Sequence, residues 1–149
     1  GTNDLAKELV LPKQSGRAGL LFALGSIILT AKAYNVITLD GVFNGISDEE
    51  GLRSEAEEGK NMGYDGKTLI HPNQIGITNA VFSPTEKEID LANKIIEAYE
   101  KAKEEKSGVT TVDGVLVEEL HVKQSLALIS KMKMIRPNSH KSPPVQNLL

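Results

Sequence analysis

Apolar and polar positions along the chain repeat with two periods, and the changes between them mark its elements. From Arg17 to Tyr34, the apolar residues Leu20, Leu21, Leu24, Ile27, Ile28 and Ala31 fall at helical spacing. This predicts a helix with a broad apolar face, suited to covering a sheet. Asn35 is placed to end it in the left-handed conformation. Val36 to Phe43 is β-branched and nearly continuous in apolar character, which predicts a parallel strand buried on both faces. Ser47 with Glu50 reads as a capping box opening a helix that runs to Met62. Gly63 to Gly66 is a turn, Lys67 to Ile70 a second short strand, and Pro72 the first turn of a short helix. Before all of these, Asn3 or Asp4 caps a turn reaching Leu9, broken between Pro12 and Gly16.

The second half is more helical. Ser83-Pro84-Thr85-Glu86 reads as another capping box. Its helix sets Ile89, Ala92, Ile96 and Tyr99 on one face, against a solvated Glu/Lys face from Glu86 to Lys106, and Gly108 ends it. Val109 to Val117 predicts a hairpin turning at Asp113-Gly114. Glu118 to Met134 predicts an amphipathic helix carrying Leu120, Val122, Leu126 and Ile129. Pro137 to Leu149 reads as a polar tail. The order is helix, strand, helix, strand, helix, helix, hairpin, helix, with a βαβ crossover in the middle. Two parallel strands make no stable sheet with two buried faces. The expectation is therefore that further strands come from another polypeptide or from self-association.

Composition narrows the function classes. The 149 residues are 40% hydrophobic and 25% charged, with a net charge of -3. Such a mild negative charge offers no attraction to nucleic acid or to an anionic membrane, so neither is expected as a partner. There is no cysteine. That removes thiol nucleophiles, disulfides and thiolate zinc sites, and it fits a reducing, cytoplasmic location. His71, His121 and His140 are too scattered to form a local zinc pair. The most apolar run, Leu20 to Ala33, is interrupted by Ser26, Thr30 and Lys32, and is too short to cross a bilayer.

Chemistry-bearing residues gather at predicted strand ends, where a rigid strand hands over to a variable loop. Leu39-Asp40-Gly41-Val42-Phe43 ends the first strand and Gly66-Lys67-Thr68-Leu69-Ile70-His71-Pro72-Asn73-Gln74 covers the second. Each carries two readings. Asp4 is a helix cap or solvated charge, or else a metal ligand. Asp40 caps a turn or faces a ligand. His71 before Pro72 is read as a structural hinge. Lys67 is expected to be exposed, with neutralisation of carboxylates or phosphate binding as the alternative. Glu118 complements a helix dipole.

Many of these short segments resemble the citrate lyase beta-subunit family, which includes malyl-CoA and citramalyl-CoA lyases. The resemblance rests on Gly1-Thr2-Asn3-Asp4-Leu5, Leu39 to Phe43, Asp48-Glu49-Glu50-Gly51-Leu52, Met62 to Lys67, Ile70 to Ile75, Phe82-Ser83-Pro84 and Lys123-Gln124, in order from Gly1 to about Met134. It implies an α/β fold, the C-terminal part of a (β/α)8 TIM barrel with its last two strands, plus a helical C-terminal extension. The implied divisions are 1–82 for the barrel part, 83–134 for the helix-hairpin-helix extension and 135–149 for a loose tail. The N-terminal barrel half would be missing from this chain and act as its partner.

The resemblance further implies carbon–carbon cleavage next to an acyl thioester, carried by coenzyme A or an acyl-carrier protein. It implies Mg2+ held by a Glu and an Asp, and a homo-oligomer, a trimer. Of the implied groups, the metal-binding Asp matches Asp4. The substrate contacts match Asn3, Asp4, Leu39 and Asp40. The acid/base Asp, delivered from a neighbouring subunit, stands here as Glu118, one methylene longer. Leu24 replaces an Arg found in many members, and Gly25 follows it. The expected function is a lyase fragment, inactive alone. The alternative is a non-catalytic remnant or subunit-interaction module.

Overall fold

The structure is a computed structural model that describes residues 1–12, 16–105 and 109–135. Lys106, Gly108, His140 and the segment from Pro137 to Leu149 lie outside the described residues, as does part of the break between Pro12 and Gly16. The chain divides into two compact units, Gly1–Phe82 and one beginning at Ser83.

The first unit runs α1 (Thr2–Glu8), a 3-10 turn (Ala18–Leu20), α2 (Leu21–Ala33), β1 (Leu39–Asp40), α3 (Glu49–Met62), β2 (Gly66–Lys67) and α4 (Gln74–Phe82). β1 and β2 pair in parallel, Leu39 opposite Gly66 and Asp40 opposite Lys67, with α3 as the crossover. Leu20, Leu24, Ile28, Ala56, Tyr64, Val81 and Phe82 form the core, drawn from the 3-10 turn, α2, α3, the turn after α3, and α4. Asn35 takes a left-handed conformation after α2, at φ 55, as its position predicts. Gly63 does the same after α3, at φ 108.

Four expectations differ from the structure. The second strand is Gly66–Lys67, not Lys67 to Ile70. Val36 to Phe43 is not a strand buried on both faces. Only Leu39–Asp40 is ladder-paired, and Ile37 and Leu39 are 77% and 57% exposed. Burial on both faces takes a wide parallel sheet with layers packed over each side, and among the described residues β1 pairs with β2 alone. The cap of α3 is Asp48, not Ser47; its carboxylate accepts the Gly51 N–H at 2.9 Å, where a negative charge also suits the helix dipole. Neither Asn3 nor Asp4 caps α1. Gly1 holds that position without a side-chain bond, and both residues lie inside the helix.

The second unit runs α5 (Glu86–Glu104), β3 (Thr111–Val112), β4 (Val115–Leu116) and α6 (Glu119–Ile135). The capping box of α5 falls at Thr85 and Glu88, two residues beyond the Ser83–Glu86 pair. Glu88 accepts the Thr85 N–H at 2.7 Å and Thr85 Oγ1 accepts the Glu88 N–H at 3.2 Å. The hairpin turns at Asp113 and Gly114, both at positive φ, as a two-residue turn requires. α5 packs on α6, burying Ile89, Ala92 and Ala102 on one and Val122 and Ser125 on the other.

The start of the parallel ladder is tied by Asp65. Its carboxylate accepts from the Thr38 N–H (2.9 Å), the Thr38 hydroxyl (3.2 Å) and Lys32 Nζ (2.8 Å), while its own N–H donates to Thr38 O. Burial pushes this carboxyl up, but Lys32 and the Thr38 bonds outweigh it and hold it below its ordinary value. A depressed folded-state pKa adds stability above the unfolded value, about 3.9, and loses it as pH falls through the folded one. Asp65→Asn should therefore be less stable than the parent at pH 7. The difference should shrink steadily below about pH 4 in urea unfolding followed by circular dichroism. A gap that stays constant down to the acid limit would contradict this account.

Candidate functional site

The centre of the first unit is an anion. Asp40, at the end of β1, is 1% exposed. Gly59 of α3 faces it, and a Cβ there would come within 2.7 Å of its carboxylate, so only glycine leaves Asp40 its space. Arg17, just before α2, donates to both carboxylate oxygens, at 2.8 and 3.0 Å. Lys67, across the ladder, reaches Asp40 Oδ2 at 3.2 Å and Glu55 Oε1 at 2.6 Å. Arg17 Nε also approaches Glu58 at 3.1 Å. Burial works against the charged guanidinium, but the hydrogen bond and charge of Asp40, with Glu55 and Glu58, hold Arg17 above its ordinary value.

Lys67 is thus not the exposed cation expected. Its side chain is fully buried, because opposite Asp40 in register it has three oxygens to satisfy it. Its third bond goes to Gly41 O at 2.7 Å. Asp40 Oδ1 accepts the Gly41 N–H, also at 2.7 Å. The backbone leaving β1 is gripped on both sides.

Beyond this grip lies a cavity of about 500 Å³, lined among others by Asn3, Asp4, Leu39, Asp40, Gly41 and Thr68. Asn3, Asp4, Leu39 and Asp40 therefore meet at one cavity wall, although two of them come from α1 and two from β1. Their side chains are used differently. Asp40 is committed to Arg17, Lys67 and Gly41. Asn3 exchanges two amide hydrogen bonds with Asn44, at 2.9 and 3.0 Å, across the loop after β1. Asp4 and Leu39 are exposed. Glu118 belongs to the second unit, exposed just before α6, where its N–H donates to His121 Nδ1 at 3.0 Å.

A magnesium ion needs several oxygen ligands in near-octahedral order. Of the two carboxylates at the cavity, Asp40 is consumed, and among the described residues no three His, Asp or Glu side chains are grouped to hold a metal. The residues present do not by themselves fit such an ion.

His71 acts as the hinge expected of it, its Nδ1 lying 2.7 Å from Asn73 Oδ1, while the Asn73 amide donates to Ile46 O. Gln74 is 1% exposed and bridges the two strand-end loops, accepting from Ile70 N–H at 3.1 Å and donating to Phe43 O at 3.0 Å. Arg17, Glu55, Asn44 and this role of Gln74 escape sequence reasoning. Their partners lie 12 to 41 residues away, except Ile70, and no local spacing announces them.

A profile of the HpcH/HpaI aldolase/citrate lyase family matches residues 1–72. A (3S)-malyl-CoA thioesterase of Cereibacter sphaeroides is 49% identical over 135 residues, 91% of this chain and 47% of the relative. The chain belongs to the HpcH/HpaI aldolase/citrate lyase family. The citrate lyase subunit beta of Leuconostoc mesenteroides subsp. cremoris is 42% identical over 99 residues, 66% of this chain and 33% of that one. Among solved structures, the protein CitE from Mycobacterium tuberculosis, in complex with magnesium, acetoacetate and coenzyme A, superposes with a TM-score of 0.59 at 25% identity. The match covers 73% of this chain and 39% of that one. This family member spans about half the length or less of the curated relatives it matches. Its fold is mixed α/β and rich in helix, as in these citrate lyase-like TIM-barrel neighbours. Among the described residues no helix is long and apolar enough to cross a membrane.

Removing one member of a buried ion pair leaves the other charge stranded. Lys67→Met should lower unfolding free energy toward the lower end of about 3–5 kcal/mol, because Arg17 still holds Asp40. The same change at Lys94, an exposed cation 2.9 Å from Asp90, should leave the unfolding curve in place. Urea titrations of both variants test the contrast.

Proposed function

We propose that this chain forms the C-terminal part of a (β/α)8 barrel enzyme that acts on a malyl-type thioester of coenzyme A. The observation that carries the reading is the meeting of Asn3, Asp4 and Leu39 at one cavity beside the buried Asp40, in a chain 49% identical to a malyl-CoA thioesterase. Leu39 offers apolar wall, and Asn3 and Asp4 offer polar groups. β1 and β2 stand as the last two strands. The open side of β1 receives the strands of the N-terminal half, which cover Ile37 and Leu39. Asp4 is the carboxylate this part contributes toward magnesium; the other ligands belong to the half that the chain does not span. Glu118 moves a proton from a neighbouring copy in a homo-oligomer. Asp40 acts from behind the wall.

The bond broken is the thioester in our first reading: malyl-CoA and water give malate and free coenzyme A. Carbon–carbon cleavage to acetyl-CoA and glyoxylate is the second reading, supported by the 42% identity to a citrate lyase beta subunit.

The test is co-expression of this chain with the part of the Cereibacter relative that it does not cover. Incubated with (3S)-malyl-CoA and magnesium, the assembly should release free thiol; release of glyoxylate instead would select the second reading. Asp4→Asn should slow turnover roughly 100-fold or more, and this chain alone should be inactive. An assembly that turns over neither way, or an unaffected Asp4→Asn, would overturn the proposal.

A further inference from the structure

Gly41 holds the key to how Asp4 is placed. Positive φ does not explain a glycine there: among the described glycines it occurs at Gly16, Gly63 and Gly114, and Gly41 is not one of them. Space does explain it. A Cβ built on Gly41 would lie 2.8 Å from Thr2 Cβ and closer still to Thr2 Oγ1 and Cγ2. Real Cβ atoms essentially never come so near. The first residue of α1 therefore rests directly on the backbone that leaves β1. Rotating the Thr2 side chain gives no relief, because its Cβ is itself in the way.

That backbone is the one gripped from behind. Lys67 Nζ donates to Gly41 O and Asp40 accepts from Gly41 N–H, each at 2.7 Å. Thr2 is followed by Asn3, whose amide pair with Asn44 ties the same turn of helix to the middle of the loop after β1. Asp4 comes next, in a turn closed by the Leu5 N–H on Gly1 O at 3.0 Å. A chain of contacts thus runs from the buried cations, through Gly41 and Thr2, to the carboxylate at the cavity.

We propose that Gly41 and Thr2 form a steric seat that sets the position of Asn3 and Asp4, with Lys67 and Asp40 fixing the seat itself. Gly41, Thr2 and Lys67 are positioning residues. Their bearing on turnover rests on the functional reading above; the seat itself does not.

Compensating substitutions test it. In this chain, Gly41→Ala should shift the amide resonances of Asn3, Asp4 and Leu5 in a nitrogen–proton correlation spectrum. Those of Leu52 and Ala56 on α3 should stay. Adding Thr2→Gly should return the three resonances to their positions in the Thr2→Gly single variant. Adding Thr2→Ala should not, since its Cβ remains. If Gly41→Ala fails to fold, the Thr2→Gly double variant should recover a dispersed spectrum.

In the co-expressed assembly, Gly41→Ala should lower kcat about 100-fold, the scale of an ångström's misplacement at a reacting centre. The Thr2→Gly double variant should recover to near the Thr2→Gly single variant. Unmoved Asn3 and Asp4 resonances in Gly41→Ala, equal rescue by Thr2→Ala, or a double variant as unfolded as Gly41→Ala would each overturn the seat. An assembly without turnover would count against the functional reading, while the spectra still decide the seat.

Discussion

The first unit depends on one buried negative charge. Asp40 lies at 1% exposure, and its two cations, with the Gly41 N–H, make that tolerable. The free energy of the cluster is not the point. Buried ion pairs return about what their desolvation costs, and well-packed apolar groups do as well. What the cluster supplies is geometry. Arg17 arrives from just before the 3-10 turn that leads into α2, Lys67 from β2 and Glu55 from α3. A slip of one residue between β1 and β2 would turn Lys67 away from Asp40 and break their ion pair, so the pair pins the register.

That pinning matters because the ladder is too short to hold itself. Two paired residues per strand contribute few hydrogen bonds. Side chains do the rest at three levels. Asp65 closes the start of the ladder on Thr38, Asp40 with Lys67 holds its middle, and Gln74 spans Phe43 O and Ile70 N–H at its end. Thr68 adds a hydroxyl bond to Asp40 O at 2.8 Å. Polar groups have taken over work that a wider sheet does with backbone.

This also explains what could be read from the sequence. Helices α2, α3, α5 and α6 were legible because each carries its own periodicity or cap, and the Asp113-Gly114 hairpin because its turn is local. Asn3, Asp4, Leu39 and Asp40 were nameable only through resemblance. The reason Asp40 is buried was not legible, since its cations stand 23 and 27 residues away. Lys67 illustrates the limit. A lysine in a short strand reads as exposed until the carboxylate opposite it in register is known. Val36 to Phe43 shows the converse, a pattern that anticipates burial the structure does not contain. The run describes what the strand would be with neighbours on both sides, and local propensity cannot say whether those neighbours are present.

Leu39 belongs to both problems at once. It is the exposed residue of β1 and a wall of the cavity beside Asp4. On the proposed reading, whatever strand completes the sheet beside β1 also completes the cavity. Assembly and ligand binding then draw on the same contacts, and each must favour the other by the same coupling free energy. A thioester held at Asn3 and Asp4 would tighten the hold of this chain on the remainder of the barrel. Loss of the remainder would leave the cavity open to water on the side where Leu39 now faces it. The buried charge behind the wall would be untouched by either event, because Arg17, Lys67, Glu55 and Glu58 all come from this chain. The unit therefore carries its rigid backing with it and leaves only the front of the site to be supplied.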